Sequence, residues 1–159
     1  MTIAIGQRIP PATLVKVTED GPDSIDSETF FAGRTVALFA VPGAFTPTCS
    51  AKHLPGFVEQ LDALKGKGVD EVACTSVNDA FVMKAWGKQA DAAGITMLSD
   101  GNADFAKALG LSTDSSKFGM GIRSQRYSML VEDGVVTQLN VEAPGEFRVS
   151  SADYLLGAL

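Results

Sequence analysis

The narrowest limit on what this chain can fold into is set by short apolar runs that alternate with segments of helical periodicity. Arg34-Thr35-Val36-Ala37-Leu38-Phe39-Ala40-Val41 is nearly continuous in apolar residues, Val69 to Val77 is a second such run, and Ile95 to Leu98 is a brief third. Runs without polar alternation belong to strands buried on both faces, which in turn requires helices on both sides of the sheet. Between the first two runs, Leu54, Phe57, Val58, Leu61 and Leu64 recur at helical spacing. Pro47 is acceptable near the start of that helix, and Lys65-Gly66 marks its end. Pro55 inside the segment predicts a kink. After the second run, Asn78 is expected to cap a helix carrying Phe81, Val82, Ala85 and Trp86 on one face. After the third, Asn102 to Leu109 reads as a short helix closed by Gly110.

The flanks have a different character. Thr13 to Thr18 reads as a short extended segment ending at the turn Asp20-Gly21-Pro22, and Ser112 to Gly121 is a looser stretch rich in Gly and Ser. Tyr127 to Glu132 and Val135 to Val141 flank Asp133-Gly134, a two-residue signal for a tight antiparallel hairpin. A last helix is expected from Ser150, with Asp153 three residues on. Parallel crossovers followed by an antiparallel hairpin imply an α/β chain with a mixed central sheet flanked by helices, the general plan of a thioredoxin-like fold. No linker, repeat or charge block interrupts residues 1–159, so one domain is expected.

Composition excludes several functions. Of 159 residues, 45% are hydrophobic, enough for a core that needs neither disulfides nor metals. A net charge of −6 provides no field to attract nucleic acid or an anionic membrane. The two cysteines, Cys49 and Cys74, form no C-x-x-C pair, and His53 is the sole histidine. A disulfide framework, a structural zinc site and a histidine-rich metal centre are all excluded, and no bound cofactor is expected. Met1 to Pro10 lacks a basic start followed by a long apolar run, and no later stretch approaches the length of a membrane span. Together with the few thiols, this points to a reducing, cytoplasmic setting.

Cys49 falls in the first turn of the helix begun near Pro47. Backbone N–H groups there have no intrahelical partner and the helix dipole is positive, which favours thiolate over thiol. A small buried thiol is the competing reading for any lone cysteine. His53, four residues on, shares roughly the same helical face. Cys49 and His53 could in principle form a nucleophile and base for acyl transfer. A pair on one short helical turn leaves little room for an acyl substrate, however, and nothing in the sequence is seen to orient the imidazole, so His53 is expected at a rim or interface. Gly119-Met120-Gly121-Ile122-Arg123-Ser124 lacks the third glycine of a dinucleotide-binding loop and opens no helix, and reads as a flexible loop.

The residues around Cys49 narrow the choice. Pro42-Gly43-Ala44-Phe45-Thr46-Pro47-Thr48-Cys49 fits P-x-x-x-T-x-x-C, and the longer run through Ser50 and Lys52-His53-Leu54-Pro55-Gly56-Phe57 resembles the type II (type five) peroxiredoxins. The resemblance continues through Ala73 to Val82 and Gly121 to Met129. It implies a thiol peroxidase acting on hydrogen peroxide and alkyl hydroperoxides. Cys49 would be the peroxidatic thiolate that becomes a sulfenic acid. Thr46 would hydrogen-bond thiolate and peroxide, Pro42 would wall the pocket, and Arg126 would supply charge and donors, with Arg123 as the competing arginine. Some members of the family carry a resolving cysteine in the stretch comparable to Arg148-Val149-Ser150-Ser151, where this chain has serine. Cys74 matches a family cysteine that generally lies away from the peroxidatic one, and its strand predicts a packed core thiol. The implied cycle is of one-cysteine type, with glutathione and glutaredoxin, or else thioredoxin, as the external reductant. The resemblance also implies a homodimer, with Phe45, His53 and Phe81 as contributors. A thioredoxin-like redox sensor or chaperone switched by Cys49 oxidation is the alternative.

Overall fold

The computed structural model describes residues 1–159. Its centre is a seven-stranded sheet. The strands are β1 (Thr13–Thr18), β2 (Gly21–Asp26), β3 (Thr35–Ala40), β4 (Glu71–Ser76), β5 (Thr96–Ser99), β8 (Tyr127–Glu132) and β9 (Val135–Val141), in the order β2-β1-β5-β4-β3-β8-β9. β3, β4 and β5 run parallel, and the strands outside them are antiparallel. A separate two-stranded hairpin pairs β6 (Ser112–Asp114) with β7 (Ile122–Ser124). The expected mixed sheet is therefore present, and the three apolar runs are its parallel strands.

The helices cover both faces, as the uninterrupted apolar strands require. Successive β3 residues point to opposite sides. Ala37, Phe39 and Val41 enter one core with Cys49, Phe57, Cys74, Met83, Trp86 and Leu155. Val36, Leu38 and Ala40 enter the other with Phe30, Phe31, Phe105, Tyr127 and Met129. α2 (Leu54–Glu59), α3 (Leu61–Gly66), α4 (Ala80–Gln89) and α6 (Ala152–Gly157) supply the first layer, and α1 (Ser27–Phe31) and α5 (Asp104–Leu109) supply the second.

Several local expectations need correction. The segment Gly21–Asp26, expected to begin as a turn, is an edge strand, and Ser27–Phe31 adds a short helix. β2 has no apolar alternation because it is an exposed edge, so periodicity could not reveal it. The helix from Pro47 is broken into a π-helical turn (Cys49–His53), α2 and α3. Pro55 is the physical cause of the widened turn. It cannot donate to the carbonyl four residues back and its ring crowds that carbonyl, and the Leu54 N–H reaches back to the Cys49 carbonyl instead. Asp79, and not Asn78, caps α4 by accepting from the Val82 N–H. Phe81, expected inside, is 72% exposed, while Met83 and Trp86 face the core. The stretch expected to be loose is the β6–β7 hairpin, closed by hydrogen bonds from the Ser115 N–H to the Gly121 carbonyl and from the Met120 N–H to the Ser115 carbonyl. The Asp133-Gly134 turn forms as expected, with φ of +47° and +79°. α6 starts two residues later than expected, at Ala152, with Ser151 as its cap.

Candidate active site

Parallel strands of an α/β sheet present their carboxyl ends at one edge, and chemistry collects there. Here that edge carries the loop after β3 that leads to Cys49 and the turn after β4 that holds Asn78. Arg126, immediately before β8, lies at the same edge because β8 is antiparallel and Tyr127 pairs with Ala40. Arg126 is thus brought to Cys49 from 77 residues away, while Thr46 belongs to the same loop as the cysteine.

The loop is tightly specified. The Ala44 N–H donates to Asn78 Oδ1 at 2.9 Å, and Ser76 Oγ donates to the same oxygen. Freed from capping, Asn78 therefore ties the end of β4 to the loop before Thr46. Gly43 permits a close approach. A Cβ there would lie 3.2 Å from both Arg123 Nη1 and Thr46 Cγ2. Phe45 adopts φ +66°, a left-handed backbone that costs a non-glycine residue about 1–2 kcal/mol. Its side chain is 47% exposed.

Cys49 is fully buried, and two donors converge on its sulfur. Thr46 Oγ1 lies 2.8 Å from Cys49 Sγ and 2.6 Å from the Gly43 carbonyl oxygen. A hydroxyl has one proton to give. With Cys49 as a thiol, the S–H can donate to Thr46 while the hydroxyl donates to Gly43. With a thiolate, the hydroxyl turns to donate to sulfur. Arg126 Nη2 donates to Cys49 Sγ at 3.0 Å. Arg123, the competing arginine, instead donates through Nε to the Met120 carbonyl and holds the β6–β7 turn against Gly43.

His53 is not a rim or interface residue. It is fully buried, between the rings of Phe39, Phe57 and Phe147. Arg126 Nη1 donates to His53 Nδ1 at 2.9 Å, so the ring proton sits on Nε2, which donates to the Ser150 carbonyl at 2.9 Å. Burial first, and the Arg126 charge second, push its pKa down to about 3 against smaller opposing pulls from the Ser150 carbonyl and Glu142. The imidazole is therefore neutral, and its Nδ1 lone pair is already engaged by Arg126. A base for acyl transfer would have to present that lone pair to Cys49, so the arrangement does not suit the hydrolase reading.

Cys74 is equally buried and belongs to the same core cluster as Cys49, a packed thiol as its strand predicts. Burial, and then the charge of Cys49, push its thiol well above the ordinary range against a smaller pull from Arg126. Pro42 is half-buried and lines, with Thr48, Lys117, Phe118, Gln125 and Arg126, a cleft of about 650 Å³ that Arg126 shares with the thiol site. Trp86, buried in the same core cluster as Cys49, donates through Nε1 to Ser50 Oγ at 3.0 Å. Sequence reasoning missed the tie from Asn78 to the Ala44 loop, the inward turn of His53 and the Ser150 carbonyl. Only the i, i+4 spacing of His53 carried a local signal.

A thiol set among hydrogen-bond donors at the carboxyl edge of a thioredoxin-like sheet defines the class of thiol-based redox proteins. The family pattern described as Redoxin matches residues 4–156. The chain is 48% identical to Peroxiredoxin-2B of Arabidopsis thaliana, over 99% of this chain and 98% of that one. It is 51% identical to the chloroplastic Peroxiredoxin-2E-2 of Oryza sativa subsp. japonica, over 99% of this chain and 73% of that one. Among solved structures it matches reduced Prx3 of Vibrio vulnificus in complex with hydrogen peroxide, with a TM-score of 0.96 and 57% identity over 99% of each chain. The chain belongs to the peroxiredoxins, within the redoxin family, and its function is that of a thiol peroxidase.

Proposed function

We propose that Cys49 is the peroxidatic thiolate, served by Thr46, Arg126 and Pro42, and that the oxidised form is resolved by a thiol from another molecule. The observation that carries the first part is the convergence of Thr46 Oγ1 and Arg126 Nη2 on one buried sulfur. The thiolate attacks one peroxide oxygen. The O–O bond breaks, the attacked oxygen stays on sulfur as a sulfenic acid, and the other leaves as alkoxide or hydroxide that takes up a proton to become alcohol or water. Arg126, always charged, keeps a second Nη2 proton for the peroxide oxygens while the first holds the sulfur. Thr46 reorients its single proton as charge leaves sulfur. Pro42 walls the cleft through which a hydroperoxide enters. The relative solved with hydrogen peroxide bound supports the same substrate here.

The external reductant is supported by what the chain does not place near Cys49 in reactive form. Ser150 stands in the stretch where a resolving cysteine would be, and the Cys74 thiol is pushed up, so it is poorly ionised. An incoming thiol attacks the sulfenic sulfur and expels water to leave a mixed disulfide. A second thiol then releases Cys49 and carries away the disulfide. Glutathione with glutaredoxin is the favoured donor over thioredoxin. Phe45 and Phe81, both exposed and flanking the Ala44–Asn78 hydrogen bond, form the apolar rim of a homodimer contact. No helix is long and apolar enough to cross a membrane, and two free thiols suit a reducing cytoplasm.

A reductant panel under limiting peroxide tests the proposal. Turnover is expected with glutathione plus glutaredoxin, and to be lost in Cys49→Ser. Undiminished peroxide consumption by Cys49→Ser would overturn the assignment of the thiol, and turnover with thioredoxin alone would overturn the choice of reductant.

A further inference from the structure

Glu142 is 6% exposed and has no cationic partner. An ionised carboxylate so placed is costly unless hydrogen bonds compensate it. Four donors do so. The Arg148 N–H is shared between both carboxylate oxygens at 2.9 and 2.8 Å, and the Val149 and Ser150 N–H groups reach Oε2 at 2.8 Å each. Ser150 Oγ donates to the same oxygen at 2.6 Å. Three successive backbone N–H groups around one anion form a nest. Burial alone would push the Glu142 carboxyl up, but the Ser150 hydroxyl and these amides outweigh it and hold the group below its ordinary range.

The far side of the same loop faces the thiol. Ser150 gives its N–H to Glu142 and turns its carbonyl to His53 Nε2. Phe147, within the loop, packs its ring against His53 at 5.1 Å and under the Arg126 guanidinium at 5.8 Å. The Glu142 N–H donates to the Arg126 carbonyl at 2.9 Å, so one residue anchors both the loop and the backbone of the arginine. A continuous series of contacts thus runs from the carboxylate through the Ser150 carbonyl, His53 and Arg126 to Cys49 Sγ.

We propose that Glu142 is a positioning residue for the peroxide-reactive thiol: by clamping residues 148–150 it fixes the Ser150 carbonyl and Phe147, which orient His53, which in turn aims Arg126 at Cys49. A charged donor held without freedom to swing stabilises a thiolate more than the same charge on a mobile side chain. The proposal rests on Cys49 being the reacting thiol.

The test measures single-turnover oxidation by hydrogen peroxide and the pH profile of Cys49 alkylation in full-length protein. Wild type, Cys49→Ser, Glu142→Gln, His53→Leu and the double variant Glu142→Gln/His53→Leu are compared. Glu142→Gln is expected to slow oxidation about tenfold, the size of one charge-assisted hydrogen bond, and to move the alkylation profile to higher pH. Because Glu142 acts through His53, the amide should add almost nothing in the His53→Leu background. Additive effects, or a Glu142→Gln protein that is less stable but keeps the wild-type rate and alkylation profile, overturn the proposal. Should Glu142→Gln not fold, Ser150→Ala removes one donor without touching the carbonyl. It is expected to slow oxidation about threefold in the same direction, and an unchanged rate and profile there overturn the proposal equally. Undiminished peroxide consumption by Cys49→Ser would instead strike the reading on which the inference rests.

Discussion

Cys49 and Cys74 lie in one hydrophobic cluster, and both are fully buried, yet their surroundings have opposite chemistry. Cys49 opens a helical turn, with a hydroxyl and a guanidinium on its sulfur. Cys74 is in the middle of β4, paired across to Phe39 of β3, and no side chain donates to it. Burial pushes the Cys74 thiol up, and only Cys49 has side-chain donors on its sulfur. Reactivity in this core is decided by which sulfur receives protons from fixed neighbours, not by depth.

The largest effect that would break this comparison is exchange of the sulfurs themselves. Cys49→Ser should abolish peroxide consumption, while Cys74→Ser keeps single-turnover oxidation and turnover with an external reductant at the wild-type rate. A collapse of turnover in Cys74→Ser with fast oxidation of Cys49 would make Cys74 a resolving residue and erase the distinction. Next in size, Arg126→Gln removes the charged donor and should slow single-turnover oxidation by about a hundred- to thousandfold, measured by stopped flow. A loss of less than fivefold would show that the guanidinium is not what separates the two thiols. Thr46→Val, nearly equal in volume, should cost about tenfold or more, whereas Thr46→Ser restores most of the rate. Equal rates in the two variants would reduce Thr46 to a loop residue.

The smallest effect concerns stability and tests His53, which stands behind Cys49 and has no counterpart behind Cys74. Its pKa of about 3 lies below the ordinary value of 6.5. Between those values the unfolded chain binds a proton that the folded chain refuses. The stabilising contribution is therefore fully present above pH 6.5 and is lost as pH falls toward 3, at about 1.4 kcal/mol per pH unit. Urea unfolding between pH 7 and pH 5.5, above the range in which ordinary carboxylates titrate, should show stability falling by about 1 kcal/mol in the wild type, the slope steepening toward its full value at the acid end, and less in His53→Leu. Identical slopes would place the proton elsewhere.

What could be seen in the sequence follows the range of the interactions involved. β3 and β4 were legible because burial on both faces leaves unbroken apolar runs, and the Asp133-Gly134 turn because its residues fit positive φ. Thr46 and Cys49 were legible because they share one short motif. β2 was not, since an exposed edge strand such as Gly21–Asp26 is under no demand for apolar alternation. Phe81 faces outward although helical spacing groups it with Trp86, because the buried face of α4 runs through Ala80, Met83 and Trp86. His53 was misread because its partners, Arg126 and the Ser150 carbonyl, are 73 and 97 residues away. The second of these is a backbone atom that no side-chain pattern encodes. Glu142 was invisible for the same reason, as its partners are mostly amides.

The contact between Trp86 and Ser50 has an optical consequence. Trp86 is the chain's one tryptophan, and its indole N–H is bound to the residue adjoining Cys49. Every indole photon the folded molecule emits therefore originates on α4, from a ring hydrogen-bonded to the turn that Pro55 widens. Any change in that turn during the cycle is reported by the native fluorescence, with no label attached and no background from a second emitter of the same kind.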